Sequence, residues 1–183
     1  MSKFINLFQK MMKISTQKKA QKETQLALLS VDGITEFSVN SGKIGVFLDF
    51  SAKETPHISL VASPEFSRES ISIHTDAENG KLNLSIQTKL KDVTDVTLNI
   101  YLTNIFKTVS AVTSSGDVRI RCCKASNVHL ETSSGDICVE DHIDPCTFRL
   151  SSQNGDIVKR AQHRKSTDCC CVCKTKNGDI VIS

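Results

Sequence analysis

Four aspartates recur in the second half of the chain, each directly after a glycine. The glycines are 19, 20 and 23 residues apart (116 to 135, 135 to 155, 155 to 178), a spacing that chance does not produce. If the copies stack as neighbouring strands, the carboxylates form a row with about 4.8 Å between neighbours. Such a row repels itself, so backbone N–H donors or a cation must neutralise it. The pairs are Gly116-Asp117, Gly135-Asp136, Gly155-Asp156 and Gly178-Asp179.

Three kinds of chemistry fit this Asp row, and turn capping is the interpretation that we favour. In an Asx-type turn each carboxylate accepts hydrogen bonds from nearby backbone N–H groups. Calcium binding is disfavoured because the glycine-rich nonapeptide of calcium-binding β-rolls is absent. A pair of acids that cleaves polysaccharide is the enzymatic alternative. No feature singles out one pair of aspartates, so we predict no catalytic residues, no cofactor and no enzyme.

A cluster of cysteines within residues 169–173 raises a further alternative, a metal or redox site. Cys170 and Cys173 form a C-x-x-C pair, but residues three apart in a strand point to opposite faces and cannot readily hold one metal. Cys169 shares a side with Cys171, and His163 is a candidate third ligand. Alignment with the other copies instead places Cys171 and Cys173 at core positions, where cysteine behaves as a small hydrophobic residue. We therefore predict no metal site.

Each copy of the repeat is predicted to be a strand, a tight turn and a second strand. Glycine is expected in the turn because it adopts positive φ without a Cβ clash. One copy cannot bury its own apolar side, so neighbouring copies must stack and share a core. Weaker echoes of the pattern occur at residues 41–46 and 79–84. The residues two positions after each glycine should form one dry column: Val118, Ile137, Ile157 and Ile180.

Alternating apolar residues extend the β pattern back to about residue 26. The clearest run contains Val96, Leu98, Ile100 and Leu102. We therefore predict an all-β protein, a β-solenoid-like stack of short strands built from repeats. One domain should cover residues 26–183, with an irregular strand-rich half at 26–105 and the regular Gly-Asp repeats at 106–183.

Residues 1–25 are predicted to be a basic amphipathic segment with a short helix over 3–22. Apolar residues between Phe4 and Ile14 recur at spacings of three and four, which collects them on one helix face, and lysines surround them. Three roles fit this pattern: a tail that packs on the domain, an interfacial helix that contacts a membrane peripherally, or an organelle transit peptide.

The net charge of +3 hides an asymmetry between the two ends of the chain. Six lysines precede the first acidic residue, Glu23, so the rest of the chain carries 3 − 6 = −3. A mildly acidic body lacks the broad basic surface of sequence-independent nucleic-acid binders, so no nucleic-acid partner is expected. Eight cysteines without a recognisable secretory signal favour a reducing compartment. We predict a cytoplasmic protein, with residues 3–22 as a candidate contact to the inner face of the membrane.

The Thr-Ser-Ser-Gly-Asp-Val/Ile copies recur at about 20-residue steps, and the strand-rich segment before them ends near residues 96–102. In these two features the chain resembles a widespread domain family of unknown function named putative adhesin. The resemblance covers roughly residues 26–183 and implies a solenoid-like β fold with no known catalytic residues. We therefore expect a non-catalytic structural or interaction module that binds another protein, itself or an envelope component. Self-association through the terminal coil, which ends at Ile182-Ser183, is the simplest version.

Overall fold

The structure, a computed structural model, describes residues 21–51, 55–62, 68–89, 96–141, 146–160 and 168–183. These residues form fifteen β-strands and one short 3-10 turn, Arg68–Ser70, which confirms the all-β prediction. No helix in these ranges is long and apolar enough to cross a membrane. Residues 1–20 of the predicted helix and of the candidate membrane contact lie outside the described residues. Lys22 is already the first residue of a strand.

The strands, numbered along the chain, form two sheets. Sheet A has eight strands in the spatial order β1 (Lys22–Leu28), β4 (His57–Ala62), β7 (Thr97–Tyr101), β3 (Gly45–Asp49), β9 (Val118–Arg121), β11 (Ile137–Glu140), β15 (Ile180–Ile182) and β13 (Ile157–Lys159). Sheet B has seven strands in the order β12 (Thr147–Ser152), β14 (Cys170–Thr175), β10 (Asn127–Thr132), β8 (Thr108–Thr113), β2 (Glu36–Asn40), β6 (Lys81–Thr88) and β5 (Ile71–Glu78).

Every copy of the repeat contributes one strand to each sheet, so the Gly-Asp turn carries the chain from one side of the core to the other. We call these units coil 1 (β8 and β9), coil 2 (β10 and β11), coil 3 (β12 and β13) and coil 4 (β14 and β15). A lead coil, β2 and β3, packs against coil 1 in the same way. All pairs between coils are parallel, as expected for a stack of equivalent turns.

The coils do not stack in sequence order. Coil 4 lies between coil 2 and coil 3 in both sheets, which gives the order 1, 2, 4, 3. The expectation that the terminal coil at Ile182-Ser183 presents the open edge is therefore wrong, because β15 is paired on both sides. Among the described strands, β12 and β13 of coil 3 form the edges at this end of the stack.

The predicted hydrophobic column exists, in the spatial order of the coils. Val118 pairs with Ile137, Ile137 with Ile180, and Ile180 with Ile157. The first three side chains are fully buried, whereas Ile157 is 45% exposed because it lies on the outermost coil that the structure describes. Val46 of the lead coil extends the column on the other side of Val118. One continuous apolar core thus runs through the stack between the two sheets.

The two weaker echoes of the repeat have different structures. Residues 41–46 form a turn between the sheets and place Val46 in register with Val118, as in the regular copies. Residues 79–84 instead close an antiparallel hairpin between β5 and β6 within sheet B. Asn79 (φ 52°) and Gly80 (φ 75°) both adopt left-handed backbone conformations, which suit a two-residue hairpin turn. The prediction that both segments use the repeat's turn is therefore correct for residues 41–46 and wrong for residues 79–84.

Candidate functional site

The four repeat glycines are required by close approach and not by backbone conformation. None of them has positive φ, whereas Gly33, Gly42 and Gly80 do, so our conformational explanation was wrong. A Cβ atom on Gly135 would lie 2.4 Å from the backbone oxygen of Gly116, and one on Gly178 would lie 2.0 Å from that of Gly135. The turns are therefore stacked backbone against backbone, and any side chain at these positions separates two coils.

The repeat aspartates form a hydrogen-bond ladder that follows the spatial order of the coils. The Oδ1 atom of Asp117 accepts the backbone N–H of Asp136 at 2.9 Å. Asp136 accepts the N–H of Asp179 at 2.8 Å, and Asp179 accepts that of Asp156 at 2.8 Å. In the opposite direction, the backbone oxygen of each aspartate accepts a hydrogen bond from a backbone N–H of the preceding coil. The N–H of Val118, for example, donates to the backbone oxygen of Asp136 at 2.9 Å. Each rung thus joins two coils.

A second ladder, which the sequence reasoning missed, is formed by the hydroxyl three residues before each glycine. Thr132 donates its hydroxyl hydrogen to the backbone oxygen of Gly116 at 3.0 Å, and Thr175 donates to that of Gly135 at 3.0 Å. Ser152 donates to Gly178 and Thr113 to Gly42, both at 2.8 Å. The recurrence of Thr or Ser at this position in all four copies was the signal that could have revealed the role.

The repeat aspartates have a structural role, because their hydrogen bonds join neighbouring coils. Three carboxylates accept a neighbouring backbone N–H in the same geometry, and Asp156 ends the series on the outermost coil. Acid–base chemistry needs two carboxyl groups with different environments, and the shared geometry of the ladder does not single out such a pair. Among the residues that the structure describes, no group of three or more His, Cys, Asp or Glu is placed to hold a metal ion.

The cysteine cluster divides between the two faces of β14. Cys171 and Cys173 point into the core, in register with Val128 and Leu130 of coil 2, and their sulfurs lie 3.7 Å apart. Cys170 is only half-buried on the other face. The hydrogen bond with Cys173, together with burial, raises the pKa of the Cys171 thiol. A protonated, enclosed thiol is a poor nucleophile and a poor metal ligand. His163 lies outside the described residues.

Two further buried thiols have a shifted pKa for a simpler reason. Burial raises the pKa of Cys123 to about 12, and it raises the pKa of Cys138 to about 12 as well. Neither cysteine is therefore a thiolate at neutral pH.

The outer end of coil 3 differs between the two sheets. In sheet A the edge strand β13 is short, and Lys159 lies at a core position of the repeat. Its ammonium group sits 5.8 Å from the centre of the Phe148 ring, so a charge closes the end of the core. An inward-pointing charge on an edge strand discourages further pairing. In sheet B the six-residue edge strand β12 has no neighbouring strand beyond it in the part of the chain that the structure describes.

Positive charge lines the outer face of sheet B beside the β12 edge. Arg149 of β12 and Lys174 of β14 are exposed, and neither forms an ion pair with a described residue. His129, Val172 and Ser151 complete a shallow groove between them. His129 is already bonded to Glu131, with 3.0 Å between Nε2 and Oε2. An extended acidic segment would find at this edge a strand with no described neighbour beyond it, together with two cations.

The opposite edge of sheet B carries the opposite charge. Among the described strands, β5 has β6 as its single neighbour, and Asp76 and Glu78 project from it into solvent on the outer face. Neither carboxylate forms an ion pair with a described residue. On the inner face Ile71 and Ile73 pack against the core only partly. The two edge strands of sheet B, β12 and β5, thus carry opposite charges on their outer faces. Each also has apolar residues on its inner face that are only partly buried.

A partly buried ion pair joins the irregular half to the repeats, and sequence reasoning did not find it. Asp49 at the end of β3 accepts hydrogen bonds from the Arg121 guanidinium at the end of β9, one of them 3.3 Å from Nε to Oδ1. Burial alone would raise the pKa of Asp49, but hydrogen bonds from Arg121 and Ser51 hold it below its ordinary value. Residues 72 positions apart meet only in the folded chain.

Comparisons with known proteins agree with this architecture. A family model described as Toastrack DUF4097 matches residues 34–183. No curated protein matches the chain. A crystal structure from Clostridium sporogenes, described as a putative cell adhesion protein, is similar over 88% of this chain and 98% of its own, with 12% identity and a TM-score of 0.57.

More distant similarity extends to two other bacterial crystal structures. One, from Parabacteroides distasonis, is described as a putative lipid binding protein and matches 89% of this chain and 96% of its own, with 11% identity and a TM-score of 0.44. The other, from Bacteroides fragilis, is described as a putative adhesin and matches 91% of this chain and 98% of its own, with 13% identity and a TM-score of 0.39.

Proposed function

Since the chain belongs to the Toastrack DUF4097 family, we propose that it is a non-catalytic interaction module, and that its partner is a second copy of itself bound at the β12 edge of coil 3. The observation that supports this most directly is the spatial order of the coils. It leaves the six-residue strand β12 at the edge of sheet B among the described strands, with Arg149 and Lys174 beside it and neither of them in an ion pair with a described residue.

The second copy is favoured over other acidic partners because the chain carries the complementary surface. Strand β5 is the edge of sheet B at the far end of the stack. Its outward residues Asp76 and Glu78 are opposite in charge to Arg149 and Lys174. Opposite charges on facing strands stabilise pairing, whereas like charges oppose it. A symmetric pairing of two β12 edges would bring cations together, so a head-to-tail arrangement is preferred.

Strand direction and apolar residues also suit this arrangement. Strand β12 runs parallel to the other coils, and β5 runs antiparallel to β6, so β5 of a following copy would pair antiparallel with β12. With Arg149 opposite Asp76 in this antiparallel register, the half-buried Phe148 and Leu150 of β12 would face the inward residues Ala77 and Thr75 of β5. Because Lys159 closes the edge in sheet A, only one sheet is extended. The contact is small, so association is weak, reversible and open-ended.

Charge reversal at each edge tests the proposal. We expect the wild-type protein to self-associate in sedimentation velocity at low ionic strength, and increasingly less as salt is added. R149E/K174E and D76K/E78K should each be monomeric, because each variant presents two edges of like charge. An equimolar mixture should associate again, since the reversed β12 edge of one variant fits the reversed β5 edge of the other.

A matched control separates this contact from a general effect of charge. K43E/K107E changes the net charge by the same amount as R149E/K174E, at exposed positions away from both edges, and it should associate like the wild type. A wild-type protein that stays monomeric at high concentration and low salt would contradict self-association. A wild-type protein that associates while the mixture of variants does not would contradict the β12–β5 contact.

A further inference from the structure

The closest pair of thiols in the described chain lies at the start of the outermost coil. Cys146 directly precedes β12 and Cys169 directly precedes β14, and the parallel register places them side by side. The backbone N–H of Thr147 donates to the oxygen of Cys169 at 2.9 Å, which holds the two chains in that register. The two Sγ atoms are 2.8 Å apart. A disulfide has a bond length of about 2.05 Å, so a small side-chain rotation brings the sulfurs into bonding distance.

We propose that Cys146 and Cys169 are a redox modification site at which a reversible disulfide fastens coil 3 to coil 4. The bond would connect residues 146 and 169 and so enclose both strands of coil 3. Neighbouring residues of paired strands have Cα atoms within the range that disulfides tolerate. The inference does not rest on the proposed self-association, because it concerns a bond within one chain.

The chemistry needs a two-electron oxidant, for which a small-molecule disulfide suffices. Cys169 is the more exposed residue of the two, at 8% against 2% for Cys146, so its thiol loses its proton and attacks one sulfur of the oxidant. One small thiolate leaves, and a mixed disulfide remains on Cys169. The Cys146 sulfur then loses its proton, attacks Cys169 and expels the second small thiolate. The two protein thiols are oxidised and the external disulfide is reduced to two thiols, so atoms and electrons balance.

The neighbouring thiols lack this arrangement. Cys171 and Cys173 are 3.7 Å apart but belong to one strand, so a bond between them would cross no boundary between coils. Both are completely enclosed by the core. Cys138 lies on β11, where its sulfur donates to Glu140 at 3.5 Å. Oxidation of the pair at 146 and 169 would therefore change how the end coil is attached.

Burial makes the reaction slow and its product durable. Burial and the hydrogen bond from Cys169 raise the pKa of the Cys146 thiol, so little thiolate is present at neutral pH. Once formed, the disulfide is shielded by the same packing. Oxidised and reduced forms should therefore be separable and stable enough to compare.

Peptide mapping by mass spectrometry tests the site on the full-length chain. The folded protein is equilibrated with oxidised glutathione, the remaining thiols are alkylated, and digests are compared with and without reductant. We expect one cross-linked species that joins the peptides containing Cys146 and Cys169. Hydrogen exchange of residues 147–159 should slow after oxidation and return to its original rate after reduction.

Variants with one cysteine replaced by serine separate the effect of the Cys146–Cys169 disulfide from other effects of oxidation. C146S and C169S should each lose the cross-link and the change in exchange, whereas C171S, which removes a thiol from the same region, should keep both. The melting temperature should rise by several degrees on oxidation in the wild type and C171S only. Thiols at 146 and 169 that stay alkylatable, form only mixed disulfides with glutathione, or cross-link to other cysteines would overturn the proposal. So would a cross-link that leaves the exchange of residues 147–159 unchanged.

Discussion

The carboxylate of Asp136 accepts the backbone N–H of Asp179 at 2.8 Å, although Asp156 is the next repeat aspartate along the chain. The bond shows that the last coil is inserted between the second and the third. The ladder of aspartates therefore runs 117, 136, 179, 156. Coil 3, the third copy along the sequence, therefore lies at the end of the stack. This placement makes β12 an edge strand and brings Cys146 beside Cys169.

Hydrogen exchange under reducing conditions should reveal this order directly. Strands β14 and β15 are paired on both sides, whereas β12 and β13 each have one neighbour among the described strands. We therefore expect amides in residues 170–182 to exchange more slowly than those in 147–159. A stack in sequence order would give the reverse, with fastest exchange at the C-terminal strands. Faster exchange in 170–182 than in 147–159 would contradict the order described here.

Removing one carboxylate from the ladder should lower stability. D136A deletes the acceptor for the Asp179 N–H and should lower the free energy of unfolding by about 1–2 kcal/mol, as for other charged side-chain acceptors. D136N keeps a neutral oxygen acceptor and should lose about half as much. Urea denaturation measures both. D156A is the matched control, because the Asp156 carboxylate accepts no N–H from a described residue, and its effect should stay within about 0.5 kcal/mol.

An alanine at a stacked glycine should separate two coils. G178A puts a methyl group 2.0 Å from the Gly135 oxygen, and backbone atoms on both sides must move. We expect a loss of about 3 kcal/mol or failure to fold, at the upper end of overpacking costs. In G45A the nearest atom is 3.4 Å away, so the same change should cost about 1 kcal/mol or less. Similar stabilities for the two variants in thermal or urea unfolding would refute the close-approach explanation.

The Asp49–Arg121 pair should contribute stability that depends on pH. The pKa of Asp49 is lower in the folded protein than its ordinary value, so the contribution is present above about pH 4 and is lost as pH falls through the folded pKa. D49N should be less stable than the wild type by about 1–3 kcal/mol at pH 7, less than for a fully buried pair because the Arg121 side chain is 38% exposed.

Urea titrations from pH 7 to pH 3 measure this dependence, and the two proteins should converge at acid pH. R121Q and the double variant complete a cycle that isolates the pair from the packing of Arg121 on the Phe47 ring. A gap between wild type and D49N that is the same at pH 3 and pH 7 would show that the carboxylate charge is not responsible.

Much of the local structure followed from the repeat itself. The period-two pattern and the Gly-Asp spacing predicted strands, turns and inward columns, because each copy obeys the same steric and burial rules wherever it lies in the stack. Cys171 and Cys173 could be assigned to the core from register alone for the same reason. The role of the aspartates as hydrogen-bond acceptors was also expected, but the donor was not: it is the N–H of the neighbouring coil.

Only the tertiary structure decided which coil lies beside which. The copies present nearly identical columns, so register with coil 2 is as good for coil 3 as for coil 4, and the pattern of one copy carries no information about its neighbour. Lys159 favours the end position for coil 3, because its charged side chain cannot be buried between two coils. Long-range contacts such as Asp49 with Arg121 and Cys146 with Cys169 arise from that choice.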